Sequence, residues 1–111
     1  MAQVFNIQLR GQVMTQAALD GLRERLGLRR SGRLDDSEDT GFGSRRLIDD
    51  GDAWALLQLR RDYEGEYASG DDDWSVDLYA TRVLLDDETV ERYRSLVLEV
   101  AAALGFVTRE S

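Results

Sequence analysis

The chain contains no cysteine, no histidine, no proline and no lysine. The first two absences exclude structural disulfides, thiolate nucleophiles, Cys/His zinc sites, Ser-His-Asp triads and imidazole pH switches. Without lysine there is no Schiff-base chemistry and no phosphate-loop lysine. All 14 basic residues are arginine, which points to a GC-rich, bacterial coding sequence. The lack of proline hands every turn to glycine and to Asp, Asn or Ser. Residues Met1 to Phe5 show neither a basic segment nor an apolar one, and no apolar run reaches bilayer-spanning length. A cytoplasmic location is the expectation.

What is present fits one domain, residues 1–111, with a single core; at this size roughly two-thirds of the unfolded chain's surface is buried on folding. The 42% hydrophobic and 32% charged contents are globular in kind. With 22 acidic against 14 basic residues the net charge is −8. Such a surface repels nucleic-acid phosphates and anionic membranes, so neither is an expected partner, whereas a basic protein is.

The organising stretch runs from Trp74 to Phe106. Large residues alternate with mostly polar ones from Trp74 to Thr81, the pattern of a half-buried strand. After Asp86-Asp87-Glu88, residues Val90, Tyr93, Val97, Val100 and Leu104 recur at helical spacing, and Gly105 is placed to end the helix. Leu96, Leu98, Ala102 and Ala103 widen that stripe, which suits either a deeply wedged helix or a homodimer seam. Earlier in the chain, Val4 to Val13 alternates as a first strand. Thr15 is an N-cap for a helix carrying Leu19, Leu22 and Leu26, with Gly27 as its stop. Asp50-Gly51 joins strands Phe42–Asp49 and Ala53–Tyr63 as a type I′ hairpin. Its register would put Ile48 opposite Ala53 and Phe42 opposite Leu59 on the core side. Leu47 would then face Trp54, and Arg45 would face Leu56, on the other side. Val83 and Leu85 fall out of phase with Trp74, which a bulge near Thr81-Arg82 would reconcile. Polar loops fill about 29–41 and 64–73. The fold expected is α+β in the order β-α-β-β-β-α, a mainly antiparallel four-stranded sheet with two helices packed on one face.

Three features carry functional weight. The segment Asp62, Tyr63, Glu64, Glu66, Tyr67 with Asp71, Asp72 and Asp73 interleaves carboxylates with tyrosine. Carboxylates pair with guanidinium forks and tyrosine supplies contact area, so the segment suits a basic protein partner; the other reading is a solvated loop serving solubility. The sheet face away from the helices would gather Asn6, Gln8, Arg10, Arg45, Trp54, Leu56, Gln58, Arg60, Asp77 and Tyr79, an interaction-type composition, unless Trp54 is core. The clusters Asp49-Asp50-Gly51-Asp52 and Asp71-Asp72-Asp73 lack the spacing of a calcium loop, because adjacent acids in a strand point to opposite faces. No metal site or cofactor is therefore expected, and no enzymatic activity, because a chain this short would struggle to build a deep cleft around an acid pair.

In size, acidity and lack of catalytic residues the chain is similar to bacterial toxin-inhibitor proteins, though it matches no motif of any such family. The resemblance implies an immunity- or antitoxin-like inhibitor that masks a basic surface of a toxin, with Trp54 or the tyrosines as anchors. The alternatives are a structural or regulatory homo-oligomer associating through the last helix or the Trp54 face, and a small-molecule-binding α+β domain.

Overall fold

The structure, a computed structural model, describes residues 2–30, 41–62 and 73–110, without the side chains of residues 30, 41, 62 and 73. Its described elements are β1 (Ala2–Arg10), α1 (Gln16–Leu26), β2 (Arg29–Arg30), β3 (Gly41–Asp50), β4 (Ala53–Asp62), β5 (Asp73–Thr81), α2 (Asp87–Ala103) and β6 (Val107–Glu110). The α+β class holds. The sheet is larger than expected: six antiparallel strands in the order β2-β3-β4-β5-β1-β6, of which β2 is only two residues long. Arg29 and Arg30, expected in a loop, form that edge strand by pairing with Ser44 and Gly43.

Both extra strands arise from the way the helices end. Gly27 takes φ +67 and Gly105 takes φ +89, left-handed values that glycine adopts without strain. Behind them Leu28 N–H donates to Arg23 O at 2.8 Å, and Phe106 N–H donates to Ala101 O at 2.9 Å. These are Schellman ends, in which the residue after the glycine is apolar and packs back; Leu28 and Phe106 are both buried. Each helix thus hands the chain straight to a sheet edge, α1 to β2 and α2 to β6. Gly21, a costly residue inside α1, is where the two helices meet: a Cβ there would lie 3.1 Å from Leu104.

Helix starts follow the expected chemistry. Thr15 Oγ1 accepts from Ala18 N–H at 3.1 Å. Thr15→Ala should therefore cost about 1 kcal/mol of unfolding free energy; urea titration read by circular dichroism checks this, and Thr15→Ser should cost little. At α2, Asp86 accepts from Thr89 N–H at 2.6 Å. Hydrogen bonds from the Thr89 side chain and then from its backbone N–H hold the Asp86 carboxyl below its ordinary pKa, so the contribution is present above the ordinary value and lost as pH falls through the lowered one.

The hairpin turn lies one residue later than expected. Asp50 pairs with Ala53 across Gly51-Asp52, and Gly51 has φ +61 while Asp52 does not enter the positive region. Glycine at the first central position alone is the type II′ pattern rather than I′. Register shifts between Arg46 and Ile48 and between Gly41 and Gly43 then alter the pairing twice. The expected Ile48–Ala53 and Leu47–Trp54 pairs are replaced by Ile48–Ala55 and Asp49–Trp54. Leu47, expected outside, packs against the core. Arg45, also expected outside, lies on the helix face: its Nη1 donates to Leu26 O at 3.4 Å and its guanidinium sits 6.0 Å from the Tyr93 ring centre. A cation there complements the negative end of α1. Strand β1 stops at Arg10, leaving Val13 exposed. Strand β5 stops at Thr81, and Arg82 changes the phase from outside the strand, at φ +54.

The buried apolar side chains form one cluster between the sheet and both helices. Phe5, Ile7 and Leu9 of β1, Leu57 and Leu59 of β4, and Trp74, Val76 and Leu78 of β5 meet Leu19, Leu22, Leu26, Val97 and Ala101. Trp74 packs edge-on against Phe42 with ring centres 4.6 Å apart. Phe42 occupies the second register shift of β3, and Arg23, buried on α1, donates from Nε to its carbonyl at 2.6 Å. The breadth of the α2 stripe is used inside: Val90, Tyr93, Leu96, Leu98 and Leu104 pack against the core, while Glu91, Arg92, Ser95, Glu99, Ala102 and Ala103 remain exposed. Among the described residues no helix is long and apolar enough to cross a membrane.

Candidate functional site

Because side chains alternate along a strand, the residues between the core positions of β1, β4 and β5 share the opposite face. Both helices pack on the core side, so no helix covers this face among the described residues. Pairing arranges it in rows: Leu56 beside Tyr79; Gln58, Asp77 and Asn6; then Arg60, Ser75 and Gln8. Beyond Gln8 the last row continues to Arg109 of β6.

At the centre stands Asp77, whose exposure is 0% although it faces away from the core. Its Oδ1 accepts from Asn6 Nδ2, and its Oδ2 accepts from Tyr79 Oη at 3.1 Å. Arg60 Nη1 lies 3.6 Å from Oδ2 and donates to Tyr79 Oη at 2.8 Å. The tyrosine hydroxyl therefore relays between guanidinium and carboxylate. Burial raises the Asp77 pKa; the bonds from Tyr79 and Asn6, the charge of Arg60 and a bond from Ser75 oppose the rise without cancelling it. The network ties β1, β4 and β5 together in the middle of the open face and fixes the Arg60 and Tyr79 side chains there.

Toward the β3–β4 turn the face is aromatic. Trp54 is half-buried, with the Arg46 guanidinium 6.0 Å from its ring centre. Arg46 Nη1 pairs with Asp49 at 3.1 Å, and Arg82 Nη1 pairs with Asp52 at 2.9 Å. Arg46, Asp52, Trp54 and Arg82 line an open cleft of about 340 Å³ with Gly51 and Thr81.

Of the residues assigned to partner binding from the sequence, Trp54, Asp62 and Asp73 lie within the described part. Asp62 and Asp73 are directly opposite each other where β4 ends and β5 begins. Tyr63, Glu64, Glu66, Tyr67, Asp71 and Asp72 lie outside the described residues. Trp54 is not beside the acidic segment: it opens β4 while Asp62 closes it, about 27 Å apart at about 3.4 Å per residue. The alternation placed Asp77 on the open face but gave no sign that it would be buried there. The phase change at Val83 and Leu85 marked an irregularity near Thr81-Arg82, which the structure makes as a left-handed Arg82 rather than a bulge within the strand.

No family model, curated protein or solved structure matches this chain.

Proposed function

We propose that the chain is a protein-binding module of the cytoplasm that masks a basic surface of a partner, in the manner of an immunity protein or antitoxin. The observation that carries this reading is the Asp62–Asp73 register. The register closes the acidic segment between two aspartate positions at the end of the sheet, and a segment that gathers carboxylates in this way suits an arginine or lysine from a partner. The segment that begins and ends at this pair holds six carboxylates and two tyrosines, Tyr63 and Tyr67. It springs from β4 and β5, the two central strands of the sheet. The net charge of −8 would speed encounter with a cationic partner. Trp54 would serve the opposite end of the same face. A patch about 27 Å long is the scale of a standard interface, about 800 Å² per partner.

The test is affinity capture from the source cells at low and at high salt, comparing the native chain with Asp71→Asn/Asp72→Asn/Asp73→Asn. The expected result is a set of basic proteins that the native chain retains at low salt, releases at high salt, and loses about tenfold in the triple variant. An unchanged set in the variant removes the acidic segment from the mechanism.

A further inference from the structure

On the helix face the core opens at the end of the sheet where β5 leaves it. Arg82 turns the chain, and Val83, Leu84 and Leu85 run as a strap to the cap of α2. Together with Ala2, Val4 and Ala80 this strap walls a groove of about 480 Å³. Leu84 is 100% exposed, whereas Val4 and Leu85 are half-buried against the core. A wholly exposed leucine over an apolar groove leaves contact area that a further side chain could bury. Arg82, which also lines the groove, is paired with Asp52.

Beside the groove runs an open strand edge. β6 pairs with β1 only from Ile7 to Arg10, so among the described residues no strand lies along Ala2 to Phe5 on that side. An edge of this kind is a template for an added strand. The β1 register with β5 skips Val4, a bulge that sets this residue toward the groove. Just past the strap, Asp87 and Glu88 are exposed in the first turn of α2. Residues two apart in an extended segment share a face, so one lying along β1 can bury an apolar residue against the groove and present a cation two positions away to these carboxylates on the same side.

We propose that the Ala2–Phe5 edge and the adjoining groove form a docking surface for an extended, basic, amphipathic segment of a partner protein. Its backbone pairs with β1, one apolar side chain seats against Val4, Leu84 and Leu85, and an arginine or lysine meets Asp87 and Glu88. Only the basic character of the partner rests on the function proposed above. This surface lies at the Thr81 end of β5, away from Asp73, so the two can fail separately.

The experiment titrates a fluorescein-labelled, amidated heptapeptide, Arg-Thr-Leu-Thr-Arg-Thr-Arg, whose leucine and arginines share one face when extended, against the full chain by anisotropy at about 0.15 M ionic strength. Leu84→Ser should weaken binding about tenfold with an unchanged circular dichroism spectrum, and N-methylation of alternate peptide residues should do the same by blocking strand pairing. Asp87→Asn/Glu88→Gln should weaken it about threefold and flatten its salt dependence. Asp71→Asn/Asp72→Asn/Asp73→Asn should leave it unchanged. Equal binding of the native chain and Leu84→Ser, or of plain and N-methylated peptide, overturns the proposal in favour of charge attraction alone. It is also overturned if the free chain dimerises and Leu84→Ser abolishes the dimer, since a second copy then fills the groove.

Discussion

Trp74→Ala should lower the unfolding free energy by about 3–5 kcal/mol, a large share of the 5–15 kcal/mol typical of a domain. Trp74 is 2% exposed and touches Phe42 edge-on, with the Arg61 guanidinium 5.3 Å from its ring centre. It sits on a central strand, with Leu9 of β1 on one side and Arg61 of β4 on the other, so neither neighbour can close the gap without breaking a ladder. Trp74→Phe separates packing from polarity. Trp74 Nε1 is buried and meets no acceptor among the described residues, and phenylalanine removes that unpaired donor along with some volume. The two effects oppose each other, so Trp74→Phe should cost less than half as much as Trp74→Ala. Guanidinium unfolding followed at 222 nm reads both variants. Equal costs would mean that the ring's contact with Phe42 contributes little.

The elements that were legible in the sequence are those long enough to show a period. Leu19, Leu22 and Leu26 repeat over the turns of α1, and Trp74, Val76 and Leu78 alternate along β5; both patterns survive errors at their ends. A two-residue β2 and a four-residue β6 are too short to carry a period at all. Their trace is indirect: Leu26-Gly27-Leu28 and Leu104-Gly105-Phe106 repeat one helix-ending pattern. The buried residue after each glycine turns the chain back along the sheet. The inside-outside errors at Arg45 and Leu47 have one cause, since each register shift in β3 reverses the alternation and the sequence does not mark where a bulge falls. The candidate site was misjudged in its dimensions. Trp54 and Asp62 belong to one strand, and a strand keeps its two ends far apart. Asp77 shows a different gap: a polar residue in an alternating strand reads as wet, yet three half-buried neighbours, Asn6, Arg60 and Tyr79, close over it.

That closure makes Asp77→Ala the second large effect, about 2–3 kcal/mol of stability lost, because the donors of Asn6 and Tyr79 lose their acceptor and Arg60 its counter-charge. Part of the ion pair's worth is screened, since the Arg60 side chain is 40% exposed. Asp77→Asn keeps the shape and one acceptor oxygen but sets an amide against a donor, so about 1 kcal/mol is expected. The pH dependence has a definite sign. The Asp77 pKa is raised above its ordinary 3.8 by burial, so the native state holds this proton more tightly than the unfolded chain does. As pH falls through the raised value toward 3.8, the native protein should gain stability relative to Asp77→Asn, and below 3.8 the difference should level off. Acidification lowers the stability of both proteins through their other carboxylates, Asp86 among them, so the informative quantity is the difference between the two unfolding curves at each pH. A difference that stays flat from neutral pH to below 3.8 would show that the bonds from Tyr79, Asn6 and Arg60 fully offset the burial of the carboxylate. A difference that moves the other way would show that they more than offset it, and the centre of the open face would then be held together by the charge rather than in spite of it.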